Sequence, residues 1–227
     1  MKTTGQRNGR MNKKSTFSAP RLLLGVLAIL SASSFLLFIR RDPKIELNPY
    51  QALGTVAAEE TIKLMGDKGQ IVVAAQDSRE FEMPALAAQL KAFQATVRKK
   101  AKATVEVEKI TMDAMTMMAA GGRLPAEQFF SILQKHPQAG AIVLFLGFPM
   151  LRDRDLDALK QRSPKMVVVA GYRADYHELL ERRLIDLVIA PRSDALPETA
   201  RKPQTLREWF DQEYVIIAAE KTSALPR

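Results

Sequence analysis

The chain has 227 residues, with 34 Lys or Arg against 25 Asp or Glu, a net charge of +9, and no cysteine. Without cysteine there is no disulfide and no lipid-modified thiol. The surplus charge is local: residues 1–41 hold eight basic and no acidic side chains, so the rest is near neutral and shows no footprint for a nucleic-acid backbone.

In chain order, residues 1–20 read as a basic cytoplasmic tail and 21–41 as a transmembrane anchor. Leu22 to Ile39 is an uncharged apolar run of 18 residues. As a helix it extends about 27 Å, close to the thickness of a bilayer's hydrocarbon core. Lys2, Arg7, Arg10, Lys13, Lys14 and Arg21 precede it, an excess that keeps the amino end in the cytoplasm. The expected location is the inner membrane, crossed once, with the following domain outside the cytoplasm. A cleaved signal peptide cut near Ser31-Ala32-Ser33 is the alternative. The apolar stretch Phe35–Ile39 and the Arg40-Arg41 pair beyond it favour an uncleaved anchor.

Residues 42–48 read as a linker, 49–220 as one domain, and 221–227 as a tail. Asn48 is expected to cap a helix with Pro49 in its first turn, running to about Met65. Ile71–Ala75 is an unbroken apolar run of strand type. A helix follows with Leu86, Leu90, Phe93 and Val97 on one face, then Thr104–Glu108 alternates with period two. The run Val97–Lys102 reads as the solvated end of that helix, where cations suit the dipole. A helix starting near Pro125 precedes a central strand at Ala141–Leu146, and a short helix with Leu156 and Leu159 precedes a strand at Met166–Ala170. Asp175 and Glu178 open the next helix, and Ile185–Ile189 is the next strand. Thr205 and Glu208 form a capping box before Trp209, and Tyr214–Ala218 closes the series. Strands alternating with helices at this spacing define an α/β fold: a three-layer, doubly wound, mainly parallel sheet of flavodoxin type, with ligands expected beyond the strands' carboxyl ends.

Several segments carry a resemblance. Asn48-Pro49-Tyr50 with Leu53-Gly54, Lys68–Val73, Lys91-Ala92-Phe93, Lys165–Gly171, Leu179–Ile189 and Pro191 resemble, in that order, the helices and strands of type I periplasmic binding proteins. That family comprises the sugar-binding proteins of ABC importers and related regulators, whose two lobes close on a small ligand. The resemblance covers roughly residues 48–192 and implies a single lobe. Arg183 stands where the family pattern has glycine. A second subunit is then needed to supply the missing wall, or ligand capture has been lost.

The resemblance directs attention to the strand-end loops. Asp77, Ser78 and Arg79 follow the first strand and can hold sugar hydroxyls through charge-assisted hydrogen bonds; helix capping is their bland reading. Phe148 can stack on a sugar ring or pack as a loop aromatic. Tyr172, Arg173 and Arg192 complete the rim. Met112, Met115, Met117 and Met118 suit core packing first, a partner surface second, and thioether metal capture least. Asp153, Asp155 and Asp157 imitate a calcium loop but lack its glycine and terminal glutamate, so they read as first-turn acids. His136 and His177 are isolated in sequence, and no metal or cofactor is expected.

The chain has no G-x-S-x-G elbow, Walker loop or G-x-G-x-x-G after a strand. It is expected to recognise rather than react. The expected partners are membrane lipid through Leu22–Ile39 and a small polar ligand such as a sugar, held with a second copy in a homodimer, with an accessory subunit of a cell-envelope complex that has lost ligand binding as the alternative and no nucleic acid.

Overall fold

A computed structural model describes residues 45–77, 82–159, 164–169, 176–193 and 201–218. Within the unit that begins at Glu46, the described elements are α1 (Asn48–Met65), β1 (Lys68–Gln76), α2 (Pro84–Lys100), β2 (Lys102–Ile110), α3 (Ala114–Ala119), α4 (Ala126–Lys135), β3 (Ala141–Leu144), α5 (Asp153–Leu159), β4 (Lys165–Val169), α6 (His177–Glu181), β5 (Leu187–Pro191), α7 (Leu206–Glu213) and β6 (Tyr214–Ala218). The six strands form one sheet in the order β2-β1-β3-β4-β5-β6. Every neighbouring pair is parallel except β5 with β6. The expected doubly wound sheet is present, with an antiparallel strand at one edge. Among the described residues no helix is long and apolar enough to cross a membrane; the Leu22–Ile39 run lies outside them.

Strand alternation divides the interior in two. Val72, Ala74, Ile142, Leu144, Met166 and Val168 point to the face covered by α4, α5 and α6. Their chain neighbours Ile71, Val73, Val143, Val167 and Ile189 point to the face covered by α1, α2 and α7, where Phe93, Val97 and Phe210 meet them. Two-sided burial is why these strands read as continuous apolar runs. Trp209, the chain's one tryptophan, packs partly buried against this second face.

Several boundaries differ from expectation for local reasons. Asn48 does not cap α1: Leu47 holds that position with no side-chain bond, while Asn48 donates its backbone N–H to Glu46 Oε1 at 3.3 Å. β3 stops at Leu144, because the chain turns at Phe145 towards Gly147, whose φ is +74°. β5 starts two residues late. Ile185 is buried in the first core, and Asp186 turns back to β4, where Oδ2 accepts the Met166 N–H at 2.8 Å and Oδ1 pairs with Lys165 Nζ at 3.3 Å. Asp175 lies outside the described residues. Thr205 does cap α7, accepting the Glu208 N–H at 3.2 Å, but Glu208 reaches back to the Gln204 N–H at 2.7 Å instead of to Thr205. Arg183, at the family's glycine position, has φ +54°, the left-handed region that glycine enters without steric cost.

The methionine segment is corrected most. α3 has no buried residue; Met115 and Met118 are 81% and 83% exposed. This six-residue helix follows an edge strand and buries no residue, so Met115 and Met118 stay in solvent while Met117 is half-buried. Met112 is the member that packs, against the first core.

Candidate ligand-binding rim

β1 lies between β2 and β3, so the chain winds outward on one side of it and then on the other. In a doubly wound sheet this reversal opens a crevice beyond the strands' carboxyl ends. β1 ends there at Asp77, whose N–H donates to Ile110 O at 2.9 Å and joins the ends of β1 and β2. Thr111 Oγ1 donates to Asp77 Oδ2 at 3.5 Å, a long bond that turns the carboxylate along the rim.

Beyond β3 the chain turns into a packed loop. Phe148 is 2% exposed, and its ring meets Phe129 edge-on at 5.6 Å between centroids. The ring is a packed loop aromatic and is not presented for stacking on a sugar. The buried Tyr176 hydroxyl bonds the Phe148 backbone; burial pushes that phenol up, against a smaller opposing pull from Arg123. A Cβ on Gly147 would stand 3.5 Å from Tyr176 Oη. Arg123 and Tyr176 belong to this end of the sheet, yet no sequence pattern marks them, because the residues they meet are far along the chain.

Arg192 follows β5. Its N–H donates to Glu213 O at 2.9 Å, and its guanidinium reaches Asp211 O at 3.4 Å, tying the strand end to α7 and β6. Asp77 and Arg192 are separated by β3 and β4, three strand spacings or about 14 Å. The structure therefore does not converge them on one small site. Ser78, Arg79, Tyr172 and Arg173 lie outside the described residues. Beyond β3, Met150 is 67% exposed. An apolar groove of about 700 Å³ opens elsewhere, between α1 and α2, lined by Ala87, Ala88, Ala92 and Ala95 among others.

A cluster that sequence separation conceals lies on the flank of β2. Glu106 and Glu108 project to one face of this edge strand, and α4 ends against them. His136, its side chain 5% exposed, places Nε2 2.8 Å from Glu108 Oε1 and Nδ1 3.8 Å from Glu106 Oε2. Lys135 pairs with Glu108, and Gln70 Nε2 donates to Glu106 Oε2 at 2.8 Å. The Lys135 hydrogen bond is the main force holding the Glu108 carboxyl below its ordinary range, and it raises Lys135 in return. Alternation on β2 foretold that the two glutamates share a face; nothing local foretold that His136 would arrive there.

The fold defines the chain's class: one mainly parallel α/β lobe. No protein-family profile and no curated protein matches the sequence. Solved structures do. An arabinose-binding protein from Geobacillus stearothermophilus, AraP, superposes with a TM-score of 0.52 at 14% identity, over 79% of this chain and 64% of its own. An ABC transporter solute-binding protein from Burkholderia graminis, in complex with D-arabinose, gives 0.51 at 13%, over 79% and 63%. The XylFII-LytSN complex gives 0.51 at 12%, over 75% and 60%. The chain is thus similar in fold to sugar-type solute-binding proteins, and it spans between 60% and 64% of the length of these three, as a single lobe does.

Proposed function

We propose that this chain is a membrane-anchored, extracytoplasmic solute-binding-like domain that recognises a small polar ligand such as a sugar and performs no catalysis. The observation supporting this most is the reversal of strand order at β1, where such sheets bind ligands beyond the carboxyl ends, with Asp77 at that end, on a lobe whose structural neighbours include arabinose-binding proteins. The Leu22–Ile39 run supplies the anchor in this reading, and the basic residues before it set the orientation. The ligand contacts Asp77 with its neighbours Ser78 and Arg79. Tyr172, Arg173 and Arg192 serve the same rim, and a second copy supplies the opposite wall.

The test is a thermal-shift screen of the purified full-length chain with mono- and oligosaccharides, including arabinose. Stabilisation that Asp77→Ala removes supports the reading. A monomer that no sugar stabilises contradicts it.

The exposed Met115, Met118 and Met150 favour a second reading: an accessory subunit of a cell-envelope complex that has given up ligand binding. Flexible thioether side chains adapt to irregular protein surfaces. Co-purification of a stoichiometric partner from solubilised membranes, lost on Met115→Lys with Met118→Lys, distinguishes this reading from the first.

A further inference from the structure

We propose that His136 Nδ1 and the Glu106 carboxylate bind a divalent transition-metal cation such as zinc, with Glu108 orienting the ring, on the flank of β2 and apart from the sugar reading. The three side chains offer one nitrogen and two carboxylate oxygens within 4.8 Å of one another. With Glu108 engaged by Nε2–H, the donors facing one another across the gap are the imidazole Nδ1 and the Glu106 carboxylate, a borderline pair suited to zinc over magnesium or calcium, with water completing the shell.

The electrostatics of the ring carry the argument. A neutral imidazole has one donor and one acceptor nitrogen. Here both nitrogens face carboxylates, Nε2 at 2.8 Å and Nδ1 at 3.8 Å. If Nε2–H donates to Glu108, the Nδ1 lone pair points at the Glu106 carboxylate. Two acceptors then confront each other at the edge of a buried ring, and a positive charge between them resolves the conflict. The hydrogen-bond partner of Glu106 among the described residues is the neutral Gln70 amide, so no cation already occupies that carboxylate through a hydrogen bond.

The distances suit a metal. A hydrogen bond would draw Nδ1 and Oε2 to about 3 Å. Zinc binds imidazole nitrogen at about 2.0 Å and carboxylate oxygen at about 2.1 Å, so a bent N–Zn–O bridge spans this gap after a small rotation of Glu106. Glu108 accepting Nε2–H is the arrangement by which a carboxylate fixes the tautomer and orientation of a metal-binding imidazole. Glu106 is half-exposed and supplies the entry path. Lys135 competes for the site through Glu108, but it is largely exposed, and such a pair contributes little to stability.

The experiment is calorimetric titration of zinc chloride into the chelator-treated full-length chain, without an affinity tag, at neutral pH. One zinc per chain is expected. Glu108→Gln weakens binding about 10–100-fold through loss of ring orientation, and Glu106→Gln weakens it at least as much. Lys135→Ala tightens it. His136→Gln abolishes it; because that ring is buried, the half-exposed Glu106 variant keeps the test sound should His136→Gln fail to fold. His177→Gln, at the chain's other histidine, leaves binding unchanged. Absence of saturable zinc binding, equal binding by Glu106→Gln, or loss in His177→Gln overturns the proposal.

Discussion

Gly54 on α1 lies against the backbone of Gln89 on α2, so close that a Cβ on Gly54 would sit 2.1 Å from the Gln89 carbonyl oxygen. The contact sets the approach of the two helices that cover one face of the sheet. A backbone carbonyl cannot swing aside as a flexible side chain can. Gly54→Ala is therefore expected to push the helices apart and destabilise the domain by about 2–3 kcal/mol. Urea unfolding measures this; a loss below a few tenths of a kcal/mol would show that the helices separate freely.

Arg183 makes the opposite case. Its φ of +54° is strained for a residue with a side chain, and glycine relieves that strain. Arg183→Gly is expected to stabilise the fold by about 0.5–1 kcal/mol, the greater unfolded-state freedom of glycine offsetting part of the relief. A fall in melting temperature would show that the contacts of the arginine outweigh the backbone strain.

Tyr214 gives a pH signature. Burial, helped by Tyr50 and Glu213, pushes its phenol up to about 12. The unfolded chain releases this proton near pH 10, before the folded chain does. Stability from this group is thus fully present below about pH 10 and declines as pH rises towards 12. Ultraviolet titration should show a late-ionising component that Tyr214→Phe reduces, Tyr176 supplying the remainder, and Tyr214→Phe should flatten the alkaline fall in stability.

Phe148 separates packing from recognition. Truncating a buried phenylalanine costs about 3–5 kcal/mol, so Phe148→Ala is expected to unfold much of the population. Phe148→Leu keeps most of the buried volume and should leave any sugar-induced thermal shift intact. Selective loss of that shift in a folded leucine variant would return the ring to the binding surface.

The architecture was legible because burial on both faces writes apolar runs into β1, β3, β4 and β5. Boundaries failed where tertiary contacts overrode local pattern. Ile185 looks like a strand residue, but Asp186 is recruited to the start of β4, and the strand waits until Leu187. The rim was located by topology, yet its chemistry was read less well. Phe148 has the same composition signal whether it packs or presents, and its contact with Phe129 decides. Met115 and Met118 look like core by hydropathy and are exposed on α3, which buries no residue. His136 and Glu108 are 28 residues apart, and only the folded path of α4 along the β2 flank joins them. Ser78, Arg79, Tyr172, Arg173 and the Leu22–Ile39 run lie outside the described residues.

A single indole, on Trp209, means that the intrinsic emission of this protein is a local gauge. It samples α7 where that helix packs over the sheet face that Ile71 and Val73 of β1 also line. Anything that loosens α7 from that face registers at once. Optical assays on this chain therefore watch that face of the sheet, and occupancy at the strand ends calls for a dye or a nuclear spin placed there.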